Sequence, residues 1–141
     1  MRRILAIDYG TKRVGLAVTD PLQLIANGLE TVHSKDLISY LNDYFSKEEV
    51  ETIVIGQAKR WNNDDSEIEK QIVPLIKQLS RKFPEIKIER ADERFTSKIA
   101  FQTMIDSGLK KKDRQNKELV DKISATLILQ SYLERKEKVN K

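Results

Sequence analysis

The chain has 141 residues, with no cysteine, one histidine and one tryptophan. Without thiols there is no disulfide, no thiolate nucleophile and no Cys-based zinc site. A lone imidazole also rules out a His cluster for a transition metal. No apolar run approaches the roughly 20 residues that span a bilayer. Met1-Arg2-Arg3 leads straight into a strand-like segment rather than a long apolar leader, so a cytoplasmic protein with no membrane partner is expected. Only five glycines and three prolines are present, and no linker, repeat or low-complexity tract divides the sequence. What remains is 39% hydrophobic and 34% charged. That suits one sizeable core, read as a single domain over residues 1–136 with a frayed tail over 137–141.

The net charge of +4 is unevenly spread: residues 1–100 carry 16 basic and 16 acidic side chains, residues 101–141 carry 10 and 6. Lys110, Lys111, Lys112, Arg114 and Lys117 crowd one segment. Such a segment is either a solvated loop or a contact for a polyanion.

Residues 3–9, 14–20 and about 26–32 read as three consecutive strands, the first two joined by a short turn at Gly10. Helical spacing follows over residues 35–48 (Leu37, Ile38, Leu41, Tyr44, Phe45), with Ser34 as the expected N-cap. Thr52-Ile53-Val54-Ile55-Gly56 lacks alternation, as a strand buried on both faces does. A helix is expected from about residue 64 to 82, kinked by Pro74 or starting at it. Residues 85–90 alternate like an edge strand. A short helix capped by Thr96 or Ser97 is expected to end at Gly108, followed by a basic loop and a last helix over about 116–136. The resulting order is a ribonuclease H-like mixed five-stranded α/β sheet: three antiparallel strands, then two helix-connected strands, with helices on both faces.

In that arrangement three acids stand out. Asp8 ends the first strand, where an unpaired buried charge costs several kcal/mol unless a cation, a raised pKa or a metal meets it. Glu93 follows the edge strand. Asp121 shares a helix face with Ala125, Ile128 and Tyr132, and Ser124 and Ala125 allow a close approach to the sheet. Taken singly, Asp8 could pair with Lys12 or Arg13, Glu93 with Arg94, and Asp121 with Lys117. Taken together at the carboxyl ends of one sheet, they suit an oxygen-liganded Mg²⁺ or Mn²⁺. Two such ions about 3.5–4 Å apart activate water and stabilise a leaving oxygen in phosphodiester hydrolysis. His33, at a strand–helix junction, reads as structural or exposed.

The residues so assembled resemble the YqgF/RuvX family of Holliday junction resolvase-like proteins and pre-16S rRNA nucleases. Four segments carry the resemblance over nearly the whole chain. They are Asp8-Tyr9-Gly10-Thr11-Lys12-Arg13-Val14-Gly15 through Asp20, Val54-Ile55-Gly56, Asp92-Glu93-Arg94-Phe95-Thr96-Ser97, and Asp121-Lys122-Ile123-Ser124-Ala125 leading to Gln130. The resemblance implies a ribonuclease H-like, metal-dependent nuclease with Asp8, Glu93 and Asp121 as its catalytic, metal-binding acids. It also implies a structured RNA substrate in 16S rRNA precursor 5′-end processing, with branched DNA as the alternative and ribosome-associated factors as further partners. The chain departs from the family after Gly56, where Gln57-Ala58-Lys59-Arg60-Trp61-Asn62-Asn63-Asp64 replaces the usual Leu-Pro and Asp-Gly pair. Ser97 and Ser124 stand for the commoner Thr and Ala.

Nucleic-acid contacts are expected from Lys12 and Arg13 on the first hairpin, and from Arg94 as a bidentate phosphate clamp. Lys59, Arg60 and Trp61 are a further set, with the indole either stacking on a base or half-buried. Lys110, Lys111, Lys112 and Arg114 complete it. Two rivals are a phosphate-binding ATPase, for which one short domain lacks the second half, and an RNA- or ribosome-binding factor without chemistry. No dimer seam is evident in the sequence.

Overall fold

Among the described residues five strands form one sheet, in which three lie side by side in chain order and the other two extend it on one flank. The computed structural model describes residues 2–57, 69–92 and 117–139. The strands are β1 (Arg3–Tyr9), β2 (Arg13–Thr19), β3 (Ala26–His33), β4 (Val50–Gln57) and β5 (Lys87–Asp92). The helices among the described residues are α1 (Leu37–Lys47), α2 (Glu69–Lys82) and α3 (Lys117–Val139). Across the sheet the order is β3-β2-β1-β4-β5. β1 pairs antiparallel with β2 and β2 with β3, while β1–β4 and β4–β5 are parallel. This is the expected ribonuclease H-like α/β arrangement. None of the helices, as far as they are described, is long and apolar enough to cross a membrane.

The apolar side chains of β1 alternate between two cores. Leu5 and Ile7 join Leu16, Leu37, Leu41, Ile53, Ile55, Ile72 and Leu79 on the face covered by α1 and α2. Ile4 and Ala6 join Ala17, Val54, Ala91, Ala125, Ile128 and Leu129 on the face covered by α3. β4 is buried on both faces, as its unbroken apolar run requires.

Several boundaries differ from those read in the sequence. Ser34 does not cap α1: it opens a 3-10 turn (Ser34–Asp36) whose N-cap is His33, and its hydroxyl donates to the Thr11 carbonyl at 2.7 Å. Helix α2 runs on both sides of Pro74 from Glu69, so Pro74 does not start it. β5 begins at Lys87 rather than residue 85 because the Ile86 N–H closes a turn onto the Phe83 carbonyl (3.1 Å). α3 is helical as far as Val139, past residue 136, where the sequence placed its end. The helix expected from Thr96 or Ser97 and the basic loop after it lie outside the described residues.

Candidate functional site

In a parallel flank all carboxyl ends point one way, and here they belong to β1, β4 and β5. Asp8, near the end of β1, follows Ile4 and Ala6 in strand alternation and so stands on the α3 face. Its antiparallel partner on β2 is Gly15. Directly opposite residues share a face, so the space a side chain on Gly15 would take lies beside Asp8. That space is filled by α3: a Cβ on Gly15 would sit 2.1 Å from the carbonyl oxygen of Asp121 and 3.1 Å from its Cβ. The absence of a side chain at position 15 therefore lets the first turns of α3 rest on β2, and Asp121 arrives next to Asp8. On the other flank Ile7 pairs with Ile55 and Gly56 with Ala91. The floor around Asp8 on this face is thus Gly15, Gly56 and Ala91.

Arg13 lies two residues before Gly15 on the same face of β2, and its Nε donates to Asp121 Oδ2 at 2.8 Å. Both partners are part-exposed, 38% for the arginine side chain and 21% for the aspartate. The described partner of Asp121 is thus Arg13, 108 residues away in sequence. Lys12 is exposed in the turn before it. That turn is fastened to the end of β3, since the Ser34 N–H donates to the Lys12 carbonyl at 3.0 Å.

Asp8, Asp121, Arg13 and Lys12 are therefore gathered at one end of one sheet. Glu93, Arg94, Lys59, Arg60, Trp61, Lys110, Lys111, Lys112 and Arg114 lie outside the described residues. Among the described residues no three His, Asp or Glu side chains form a cluster able to hold a metal. The two acids that are described fit a hard cation in kind: both are oxygen donors and both are only part-buried. By contrast, a cavity of about 480 Å³ lined by Arg2, Phe45, Glu48, Lys82 and Phe83 lies at the amino ends of β1 and β4, away from this chemistry.

Sequence reading missed Gly15. The signal was present, because a glycine inside an apolar strand marks a close approach of another backbone. It also missed that His33 works as a cap, with its Nδ1 accepting the Lys35 N–H at 3.2 Å.

A family model described as "RuvX: Holliday junction resolvase" matches residues 2–135. A protein of Phocaeicola vulgatus named "Putative pre-16S rRNA nuclease" is 60% identical over 136 residues, covering 96% of this chain and 98% of its own length. A Bacteroides thetaiotaomicron protein of the same name is 58% identical, covering 96% and 99%. Among solved structures, T. thermophilus RuvC in complex with Holliday junction substrate superposes with a TM-score of 0.60 over 97% of this chain and 96% of that one. Its identity is 14%, a likeness of fold.

Proposed function

The chain belongs to the RuvX family, and on that footing we propose that it is a nuclease hydrolysing phosphodiester bonds in structured RNA during 16S rRNA precursor 5′-end processing, in the cytoplasm. The observation that supports the reading is the packing of Asp121 over Gly15, the cross-strand partner of Asp8, at the carboxyl ends of the central strands.

In this reading Asp8, Asp121 and Glu93 are the acids that hold Mg²⁺ or Mn²⁺, with a pair of ions as the working assignment. A bound ion there supplies an activated water and charge neutralisation at the leaving oxygen. The protein's own residues do the rest. Asp8 presents its carboxylate from a buried strand, so little reorganisation is needed when the ligand arrives. Arg13 holds the Asp121 carboxylate in one orientation through its Nε. Lys12, beside it in the turn, is placed to neutralise a backbone phosphate. Arg94 would clamp the scissile phosphate, and Lys59, Arg60, Trp61 and the Lys110–Lys112, Arg114 segment would extend the contact along the RNA.

The test is cleavage of an end-labelled RNA carrying the 16S precursor 5′ leader, with Mn²⁺, with Mg²⁺ and with chelator, beside a four-way DNA junction as a second substrate. Metal-dependent RNA cleavage that falls by about 100-fold or more in Asp8→Asn is expected, the scale of losing one transition-state-stabilising group. Junction cleavage without RNA cleavage would transfer the activity to branched DNA. RNA binding without cleavage of either substrate would leave a binding factor.

A further inference from the structure

We propose that His33 and Lys35, at the junction of β3 with the following 3-10 turn, form a phosphate-binding subsite that receives the RNA backbone beside the acidic pair. The proposal rests on the nuclease reading above and extends it to residues that none of the motifs contains.

The first observation is placement. His33 is the cross-strand partner of Arg13. Directly opposite side chains share a face, and Arg13 reaches Asp121 on that face. His33 and Arg13 form one row, and the Arg13–Asp121 pair links it to the next row on the same face, where Asp8 lies opposite Gly15. A nucleic-acid strand whose scissile phosphate sits at the acids and whose chain runs toward the β3 edge meets His33 and Lys35 next.

The second observation is fixation. The Ser34 N–H and hydroxyl bind the carbonyls of Lys12 and Thr11 at 3.0 and 2.7 Å. Two hydrogen bonds from one residue hold the β1–β2 turn against the β3 end. The ammonium groups of Lys12 and Lys35, both on exposed residues, are thereby carried on one joined rim. Ser34 is a positioning residue here: it need not touch RNA, but it ties the two basic tips together.

The third observation is the state of the imidazole. Nδ1 of His33 accepts the Lys35 N–H at 3.2 Å. With Nδ1 accepting, the nitrogen left to donate is Nε2, the one farther from the backbone. His33 is exposed, which leaves its imidazole within reach of a phosphate oxygen. Capping alone calls for an acceptor, and Asn, Asp or Ser serve better at such a position. Histidine adds a second, outward donor that a cap has no use for. Asp36, exposed beside Lys35, is the opposing charge in this turn.

The experiment is equilibrium binding of the full-length protein to the single-stranded leader RNA across a salt series, with thermal melts and cleavage measured on the same samples. Lys35→Ala is expected to weaken binding about 3- to 10-fold and to reduce the slope of log K against log salt by about 0.7, the value for one cation on single-stranded nucleic acid. His33→Asn keeps an acceptor for the Lys35 N–H but loses the far donor. It is expected to weaken binding about threefold with slope and melting temperature unchanged. Asp36→Asn should tighten binding, and in cleavage the losses should fall on KM. Wild-type affinity and slope in both Lys35→Ala and His33→Asn, beside an active wild type, would overturn the subsite and leave the junction a structural turn. A wild type that neither binds nor cleaves RNA would overturn the nuclease reading itself, and the subsite with it.

Discussion

The two faces of the central sheet are built from different sizes of side chain. Under α1 and α2 the sheet presents Leu5, Ile7, Leu16, Ile53 and Ile55, met by Leu37, Leu41, Ile72 and Leu79. Phe45 and Phe83 close the edge of this core with ring centres 4.8 Å apart at 86°. Under α3 the sheet presents Ala6, Ala17, Ala91 and glycines at 15 and 28 beside Ile4 and Val54, met by Ser124, Ala125, Ile128 and Leu129, so small residues are concentrated on this face. Side-chain size sets how near an element can pack. The first face carries the larger cluster of buried apolar side chains. The second draws one helix down until its backbone touches the strand, which brings a polar residue of that helix to the end of β1. One face is built for stability and the other for position.

Exchanging the strengths of the two faces tests this division. The largest effect on stability is expected on the first face. Leu41 is fully buried, and Leu41→Ala leaves a cavity costing about 2–5 kcal/mol. Denaturant unfolding should register the whole loss, while cleavage measured well below the lowered melting temperature stays near wild type.

Gly15→Ala should behave the opposite way. The added methyl meets the Asp121 carbonyl oxygen at 2.1 Å, so the helix must withdraw or the strand must shift. Overpacking of this kind costs about 1–3 kcal/mol. The loss of cleavage should far exceed that stability change, because Asp121 moves away from Asp8. Equal losses of stability and cleavage in the two variants would show that the faces are not specialised.

Arg13→Met sharpens the contrast within the second face. The Arg13–Asp121 pair is part-exposed, and such pairs contribute about 0–1 kcal/mol. Thermal melting should therefore shift little. Cleavage should fall because the Asp121 carboxylate loses the group that orients it, and raising the metal concentration should recover part of the activity. A melting point that collapses would make the pair a structural tie rather than a device of the site.

How much of this was legible in the sequence follows the range of the interactions. The β1–β2 hairpin and β4 each show in one short stretch of sequence, since alternation and unbroken apolar runs are local patterns. The helix face carrying Asp121 was legible through Ala125 and Ile128, both of which are buried. Ser34 misled because its capping propensity is local, whereas its hydroxyl is used by Thr11, 23 residues earlier. The partner of Asp121 was illegible for the same reason: Lys117 is one helical turn away, but Arg13 is brought over it by the fold. Gly15 was visible only as part of a turn-and-strand motif, since nothing in one sequence says which helix will lie on it. Glu93 and the basic segments, read from strand position and charge, lie outside the described residues.

The smallest expected effect concerns Glu89, on the α3 face of β5 one row from Asp8. Lys87, whose Nζ lies 2.8 Å from its carboxylate, and then the Tyr132 hydroxyl of α3 hold Glu89 below its ordinary pKa. The same contact, after burial, pushes the Tyr132 phenol up. A carboxylate depressed in the folded state adds stability that is fully present above its unfolded pKa, near 4.5, and is lost as pH falls through the folded value. Glu89→Gln should thus melt slightly lower than wild type at pH 7, by about 2 °C or less, and the difference should close below about pH 4. Paired thermal melts at pH 7 and pH 3 measure it. A gap that persists unchanged at pH 3 would mean that the amide disturbs packing between β5 and α3, and that the second face depends on steric fit there as much as it does at Gly15.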